Sequence, residues 1–169
     1  VVDMAEEQLA RDRLVAERED LELVTLQADK RDLGALESGC FDLIVHPVSN
    51  CFVEDVRPVW REAHRVLAPG GALLSGFNNP VVYCYDEAEA CEPEATLRHQ
   101  LPFSDTEHLP GEELAQRVER RDAVEFSHTL TDQIGGQLEA GFVLAGFYED
   151  GWTLGAPERN RWFPPFLAT

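Results

Sequence analysis

Apolar residues along this chain come in short bursts divided by charged stretches, and the spacing inside each burst predicts a strand or a helix. "VVD" at the start reads as the end of a strand. The following "EEQLARDRLVAERE" sets Leu9 and Leu14 among charges, the pattern of an exposed amphipathic helix. "LELVTLQAD" alternates Leu21, Leu23 and Leu26 with polar residues in strand fashion, and "RDLGALESGC" is a loop or short helical turn broken by Gly34 and Gly39. "FDLIV" has so little polar alternation that it predicts a strand covered on both faces. "EDVRPVWREAHRVL" predicts a helix burying Val59, Ala63, Val66 and Leu67. Pro69 cannot continue that helix, Gly70 and Gly71 turn the chain, and "ALLSGF" is a further buried strand. Strands should therefore end near Asp3, Asp29, Val45 and Phe77, with helices after the first and third.

Strand, helix, strand, loop, strand, helix, strand is the grammar of an open, doubly wound, mostly parallel α/β sheet. From Val81 to Val118 the pattern dissolves into a stretch rich in Glu, Asp and Pro, longer than an ordinary connection and expected to be an insertion or cap. "AVEFSH" reads as a strand and "TLTDQIGGQLEAGF" as a helix capped at Thr129 or Thr131 and ended by Gly141. "VLAGFYED" closes the sheet, and "RWFPPFLAT" is an aromatic tail packed on the body. The 169 residues suit one domain, 1–169.

Charge narrows the partners. A net charge of -18 disfavours nucleic acid, whose phosphates need cationic surface. No apolar run approaches a membrane span and no signal peptide is evident, so the expected setting is the cytoplasm, with no membrane partner. Cys40, Cys51, Cys84 and Cys91 lack paired spacing and read as buried thiols. His99, His108 and His128 lack the spacing of a metal site, and no metal is expected.

The candidate chemistry lies at the strand ends. In an open parallel sheet, ligands bind outside the carboxyl ends of the strands at the switch point. Asp3 and Asp29, about 26 positions apart, end consecutive strands. One carboxylate can hold ribose hydroxyls, and the other can accept an exocyclic amine. Each also has a plainer role, Asp3 as a helix cap and Asp29 as a turn acid. His46, Ser49, Asn50, Asn78 and Asn79 stand at strand exits, where they can contact a substrate or merely shape turns.

In this order "VVDMAEEQL", "LQADKRDL", "FDLIV" and "REAHRVLAPGGALL" resemble a class I S-adenosylmethionine-dependent methyltransferase of the type 11 kind. The resemblance covers about Val1 to Pro80 well. It implies S-adenosylmethionine as cofactor and S-adenosylhomocysteine as product. Asp3 then resembles the ribose-binding acid, with Met4 beside the adenosine. Asp29 resembles the acceptor of the adenine amine, Lys30 supplies the next backbone N–H, and His46 opens toward the methyl group. His46, Asn50, Asn78 and Asn79 are candidate substrate contacts, and no catalytic residue is assigned.

The family's first strand and its glycine-rich loop are absent from the sequence. In the family's sheet that strand is central, so the expectation is an N-terminally incomplete view of a longer polypeptide. The expected activity is methylation of a small-molecule acceptor, with a homodimer left open. A non-catalytic methyltransferase-like binding or regulatory domain is the alternative. A nicotinamide-dependent oxidoreductase is a third reading, against which "RVLAPGG" speaks.

Overall fold

The computed structural model describes residues 1–86, 96–151 and 163–169. The first strand, β1 (Val2–Asp3), leads into helix α1 (Glu6–Arg18) and returns to β2 (Leu26–Gln27), which pairs with β1 in parallel. Glu6 and Glu7 in the first turn of α1 and Arg18 in its last complement the helix dipole. The alternation from Leu21 to Asp29 overstates its strand. Only Leu26 and Gln27 pair, and Leu21 and Val24 stay exposed.

A second sheet carries most of the body. β3 (Phe41–His46) lies parallel to β4 (Leu67–Asn78), and its order continues through β6 (Phe166–Ala168) to β5 (Tyr148–Asp150), both of those pairings antiparallel. The sheet is thus mixed, and the aromatic tail is more than a packed tail. Its residues Phe166, Leu167 and Ala168 form the strand between β4 and β5. "VLAGFYED" contributes only Tyr148–Asp150, at the sheet edge.

Between β3 and β4 runs α2 (Arg57–Val66), with Pro58 in its first turn, where a missing N–H costs nothing. It buries Val59, Trp60, Ala63 and Val66, while Leu67 already belongs to β4. Trp60 is the centre of this packing, with no exposed surface and an indole N–H donating to Asp132 O at 3.1 Å. A Cβ at Gly136, the first residue of α5 (Gly136–Ala140), would lie 2.8 Å from the Trp60 ring, so the close approach of these helices needs glycine there. Near its start β4 is equally tight where its register with β3 jumps from Phe41–Leu67 to Leu43–Ala72, so the Pro-Gly-Gly stretch expected as a turn is an irregularity inside the strand. Gly70 has φ of +83°, and a Cβ at Gly71 would meet Ala68 O at 3.0 Å and Asp42 O at 3.1 Å.

One expectation fails on β3. Ile44 and its register partner Leu73 face the packed side, with Leu73 against the Val53–Val56–Val59–Trp60 cluster. On the other face Leu43, Val45 and Leu74 are 53%, 66% and 55% exposed, so the strand is covered on one face only among the described residues. The outer edges of β1 and β3 carry no further strand among those residues, and the two sheets are separate.

The stretch Val81–Val118 is more regular than its composition suggested, although residues 87–95, including Cys91, lie outside the described residues. It opens with the 3-10 turn Pro80–Cys84 and includes α3 (Asp105–His108) and α4 (Gly111–Arg120). Sparse apolar residues hid α4, whose order comes from acids in its first turn and arginines in its last. "AVEFSH" forms a single bridge, Phe126 to Ser104, rather than a strand. Thr129 does cap the next helical segment: its hydroxyl accepts the Asp132 N–H and donates to the Asp132 carboxylate.

Candidate cofactor and acceptor site

The carboxyl ends of β1, β2, β3 and β4 deliver Asp3, Asp29, His46 and Asn78. Asp3 Oδ1 accepts the Ala5 N–H at 2.7 Å, the helix-entry role foreseen for it. Oδ2 receives no hydrogen bond among the described residues. Gln27 Nε2 donates to Met4 O at 3.0 Å, which fixes the Met4 backbone while its side chain is exposed.

Asp29 is more heavily engaged. Its oxygens accept the Arg31 backbone N–H at 2.8 Å and the guanidinium at 2.7 to 3.1 Å. The Arg31 hydrogen bonds hold this carboxyl below the usual carboxylate range. Lys30 turns inward. Its Nζ donates to Ser49 O at 2.6 Å and Ser49 Oγ at 3.0 Å, tying the β2 exit to the turn after β3. Burial lowers its pKa to about 8, against the pull of nearby Cys51, Asp29 and Asp3.

His46 heads a buried chain of polar side chains. Its Nε2 meets Asn50 Oδ1 at 2.8 Å, and Asn50 Nδ2 donates to Gln133 Oε1 at 3.0 Å. An oxygen can only accept, so His46 carries its proton on Nε2 and leaves Nδ1 as a lone pair. His128 Nε2 donates to Asn50 O at 2.9 Å, and Trp60 meets the His46 ring edge-on at 5.7 Å. Burial lowers the His46 pKa to about 4, so near neutrality the ring is an uncharged contact with little strength as a base. Asn50 has no exposed surface and acts on the crevice through His46.

At the β4 exit, Asn78 Nδ2 donates to Tyr83 Oη at 2.8 Å, and Tyr83 donates to Glu125 Oε2 at 2.8 Å. Burial, then the charge of Glu125, drives the Tyr83 pKa far upward, so it remains a phenol and a fixed donor. Cys51 is buried beside this group, its thiol pushed up to about 11 by desolvation. Asn79 serves the chain itself. Its Oδ1 accepts the Val81 N–H at 3.2 Å and its Nδ2 donates to Pro164 O at 2.9 Å.

The structure thus sets Asp3 and Asp29 at the exits of the paired strands β1 and β2, ties Lys30 across to the turn after β3, and places His46 and Asn78 at the exits of β3 and β4. Gln133 and Glu125 were missed in the sequence, and His128 was weighed there only as a metal ligand. Glu125 left a trace as one acid inside "AVEFSH". A furrow of about 680 Å³ along α4, lined by residues between Pro110 and Asp122, shares no residue with this crevice.

Residues 1–75 match the model of the methyltransferase domain family. The chain is also 46% identical over 150 residues to YbaJ, an uncharacterized methyltransferase of Bacillus subtilis (strain 168), a match covering 89% of this chain and 59% of the relative. The chain thus resembles the methyltransferases, most directly over residues 1–75.

A solved S-adenosylmethionine-dependent methyltransferase from Mesorhizobium loti shares the methyltransferase fold at a TM-score of 0.69 and 22% identity, over 99% of this chain and 76% of that one. The PH0226 protein from Pyrococcus horikoshii OT3 aligns at a TM-score of 0.61 and 18% identity, over 99% and 68%. The chain spans about three fifths of the length of the curated relative it matches.

The residues present fit the adenosine half of S-adenosylmethionine. Two carboxylates at adjacent parallel strand exits face a ligand whose ribose hydroxyls and adenine amine are donors, and Asp3 Oδ2 is open to one of them. Asp29 fits on a condition. Its lone pairs are filled by Arg31, so an adenine amine must displace part of that exposed pair.

Proposed function

We propose that the full-length polypeptide methylates a small-molecule acceptor with S-adenosylmethionine, held at the exits of β1 to β3 with the acceptor toward β4. The observation that carries this reading is the convergence of Asp3, Asp29, Lys30 and His46 on one crevice in the family's strand order. S-adenosylmethionine supplies an electrophilic methyl group when bound. Asp3 accepts from the ribose, Asp29 and the Lys30 backbone N–H read the adenine, and neutral His46 lines the route toward the methyl. The described residues of 81–118 then cap the acceptor, because they leave β4 beside Asn78 and bring Tyr83 and Phe103 to its exit. Alignment under such a cover accounts for much of the rate of a methyl transfer.

Among the described residues, the unpaired edges of β1 and β3 and the exposed face of Leu43, Val45 and Leu74 support a further strand and cover in the full-length polypeptide. An acceptor of low mass is favoured over nucleic acid by the net charge of -18. No helix among the described residues is long and apolar enough to cross a membrane.

Incubating the full-length polypeptide with methyl-labelled S-adenosylmethionine and bacterial lysate tests the acceptor class. Label should appear in the low-mass fraction, and should fall to background when residues 81–118 are replaced by a Gly-Ser linker. Label confined to nucleic acid or protein would overturn the small-molecule reading.

A further inference from the structure

The group at the β4 exit contains a carboxylate with a hydrogen-bond partner and no cation. Tyr83 reaches Glu125 Oε2 at 2.8 Å and is itself held by Asn78 at 2.8 Å. Among the described residues no Lys, Arg or His pairs with the half-buried Glu125. Asp105, next to it, makes the contrast. Its buried carboxylate accepts the Glu125 backbone N–H at 2.8 Å and faces the Arg117 guanidinium at 3.5 Å. Among the described residues, one carboxylate of this neighbouring pair thus has a cation and the other has none.

Position gives that omission a use. The Phe126 N–H donates to Cys51 O at 2.8 Å, so the segment carrying Glu125 is fixed to the turn after β3, while Tyr83 and Asn78 fix its side chain to the β4 exit. Glu125 therefore stands between the exits of the two parallel strands that flank the proposed acceptor position. Phe103 stacks on Tyr83 at 5.9 Å, adding aromatic surface beside the carboxylate. A half-buried carboxylate beside aromatic rings favours a compact organic cation, through a charge-assisted hydrogen bond and cation–π attraction.

We propose that Glu125 binds the ammonium group of an amine acceptor, with Tyr83 and Asn78 as positioning residues. This rests on the methyltransferase reading above and names the acceptor class within it. An ammonium has no lone pair to offer a methyl group. Glu125 supplies the missing step: one N–H bond breaks, its proton forms an O–H bond on the carboxylate, and the freed pair remains on nitrogen. Tyr83 stays a phenol throughout, so it holds the carboxylate rather than taking the proton.

Calorimetry on the full-length polypeptide tests this with benzylamine and benzyl alcohol, which share a skeleton and differ in charge. Titrations run at neutral pH with and without saturating S-adenosylhomocysteine. The amine should bind at least about tenfold more tightly than the alcohol. Glu125→Gln should abolish that preference while leaving S-adenosylhomocysteine affinity within about twofold, and Tyr83→Phe should reduce it by less. An alcohol bound as tightly as the amine, or no binding of either, overturns the proposal, and the wild-type comparison decides this even if a variant misfolds. Failure to bind S-adenosylhomocysteine is read in its own titration and counts against the methyltransferase reading instead.

Discussion

The two sheets differ in how they are held. β3, β4, β6 and β5 stand on a packed layer in which Trp60 and Phe77 have no exposed surface. β1 and β2 are two residues each, with Val2 in β1 and Leu21 and Val24 before β2 exposed, and their link to the body is largely polar. Glu62 accepts the Leu33 N–H at 2.7 Å, Arg65 donates to Leu33 O and Leu36 O, and Lys30 reaches Ser49. The proposed adenosine acids thus ride on the lightly packed unit, while His46, Asn78 and Glu125 belong to the well-packed one. Cofactor affinity should consequently respond to the polar ties, and overall stability to the core around Trp60.

Trp60→Ala should break the comparison most severely. It removes the central side chain and leaves Asp132 O without its donor, at a cost of about 3–5 kcal/mol in urea unfolding. A loss near that of a surface substitution would show that the second sheet is not held by this core.

The next effect is in pH. His46 titrates at about 4 in the folded protein and near its ordinary 6.5 when unfolded. The unfolded chain therefore binds the extra proton first as pH falls. The contribution is complete above about pH 6.5 and is lost toward pH 4, with a slope near 1.4 kcal/mol per pH unit inside that window. His46→Gln should flatten the upper part of this window, and an unchanged profile would show that His46 is not buried uncharged.

Glu62→Ala should cost about 1–2 kcal/mol, because it strands the Leu33 N–H and removes the main partner of Arg65. Since Arg65 lowers the Glu62 pKa, this tie is intact above the ordinary carboxylate range and fails as pH falls below it. If the tie orients the first sheet, S-adenosylhomocysteine affinity should weaken in the same variant, and retained affinity would separate site from tie.

What the sequence revealed follows the same division. The strand ends at Asp3, His46 and Asn78 were legible because helix stops and apolar bursts are local signals, while "APGG" marks an irregular stretch of β4 through Gly70 and Gly71 rather than a turn before it. The long alternation to Asp29 misled, since only two of its residues find a ladder partner. β6 was hidden because its pairing joins Phe166–Ala168 to Gly76–Asn78, far away in the chain. The Asn50–Gln133 and Tyr83–Glu125 bonds escaped for that reason too: they join residues 83 and 42 positions apart, where periodicity is silent. The Arg31 ion pair with Asp29 needs only adjacent residues, yet sequence alone cannot say whether a ligand or a neighbour holds that acid.

Arg31 supplies the smallest effect. Its exposed pair with Asp29 is worth at most about 1 kcal/mol, so Arg31→Ala should tighten S-adenosylhomocysteine by no more than about fivefold. Weaker binding would instead make Arg31 a direct contact.

The most direct test of the crevice is calorimetry of S-adenosylhomocysteine on the full-length polypeptide with Asp3→Ala and Asp29→Ala. Each substitution leaves ligand donors unpaired in a partly buried site, at about 1–3 kcal/mol. Affinity should fall about fivefold to over a hundredfold in each variant, with unfolding midpoints close to wild type. Wild-type affinity in both folded variants would contradict the assignment of these two strand exits to the cofactor.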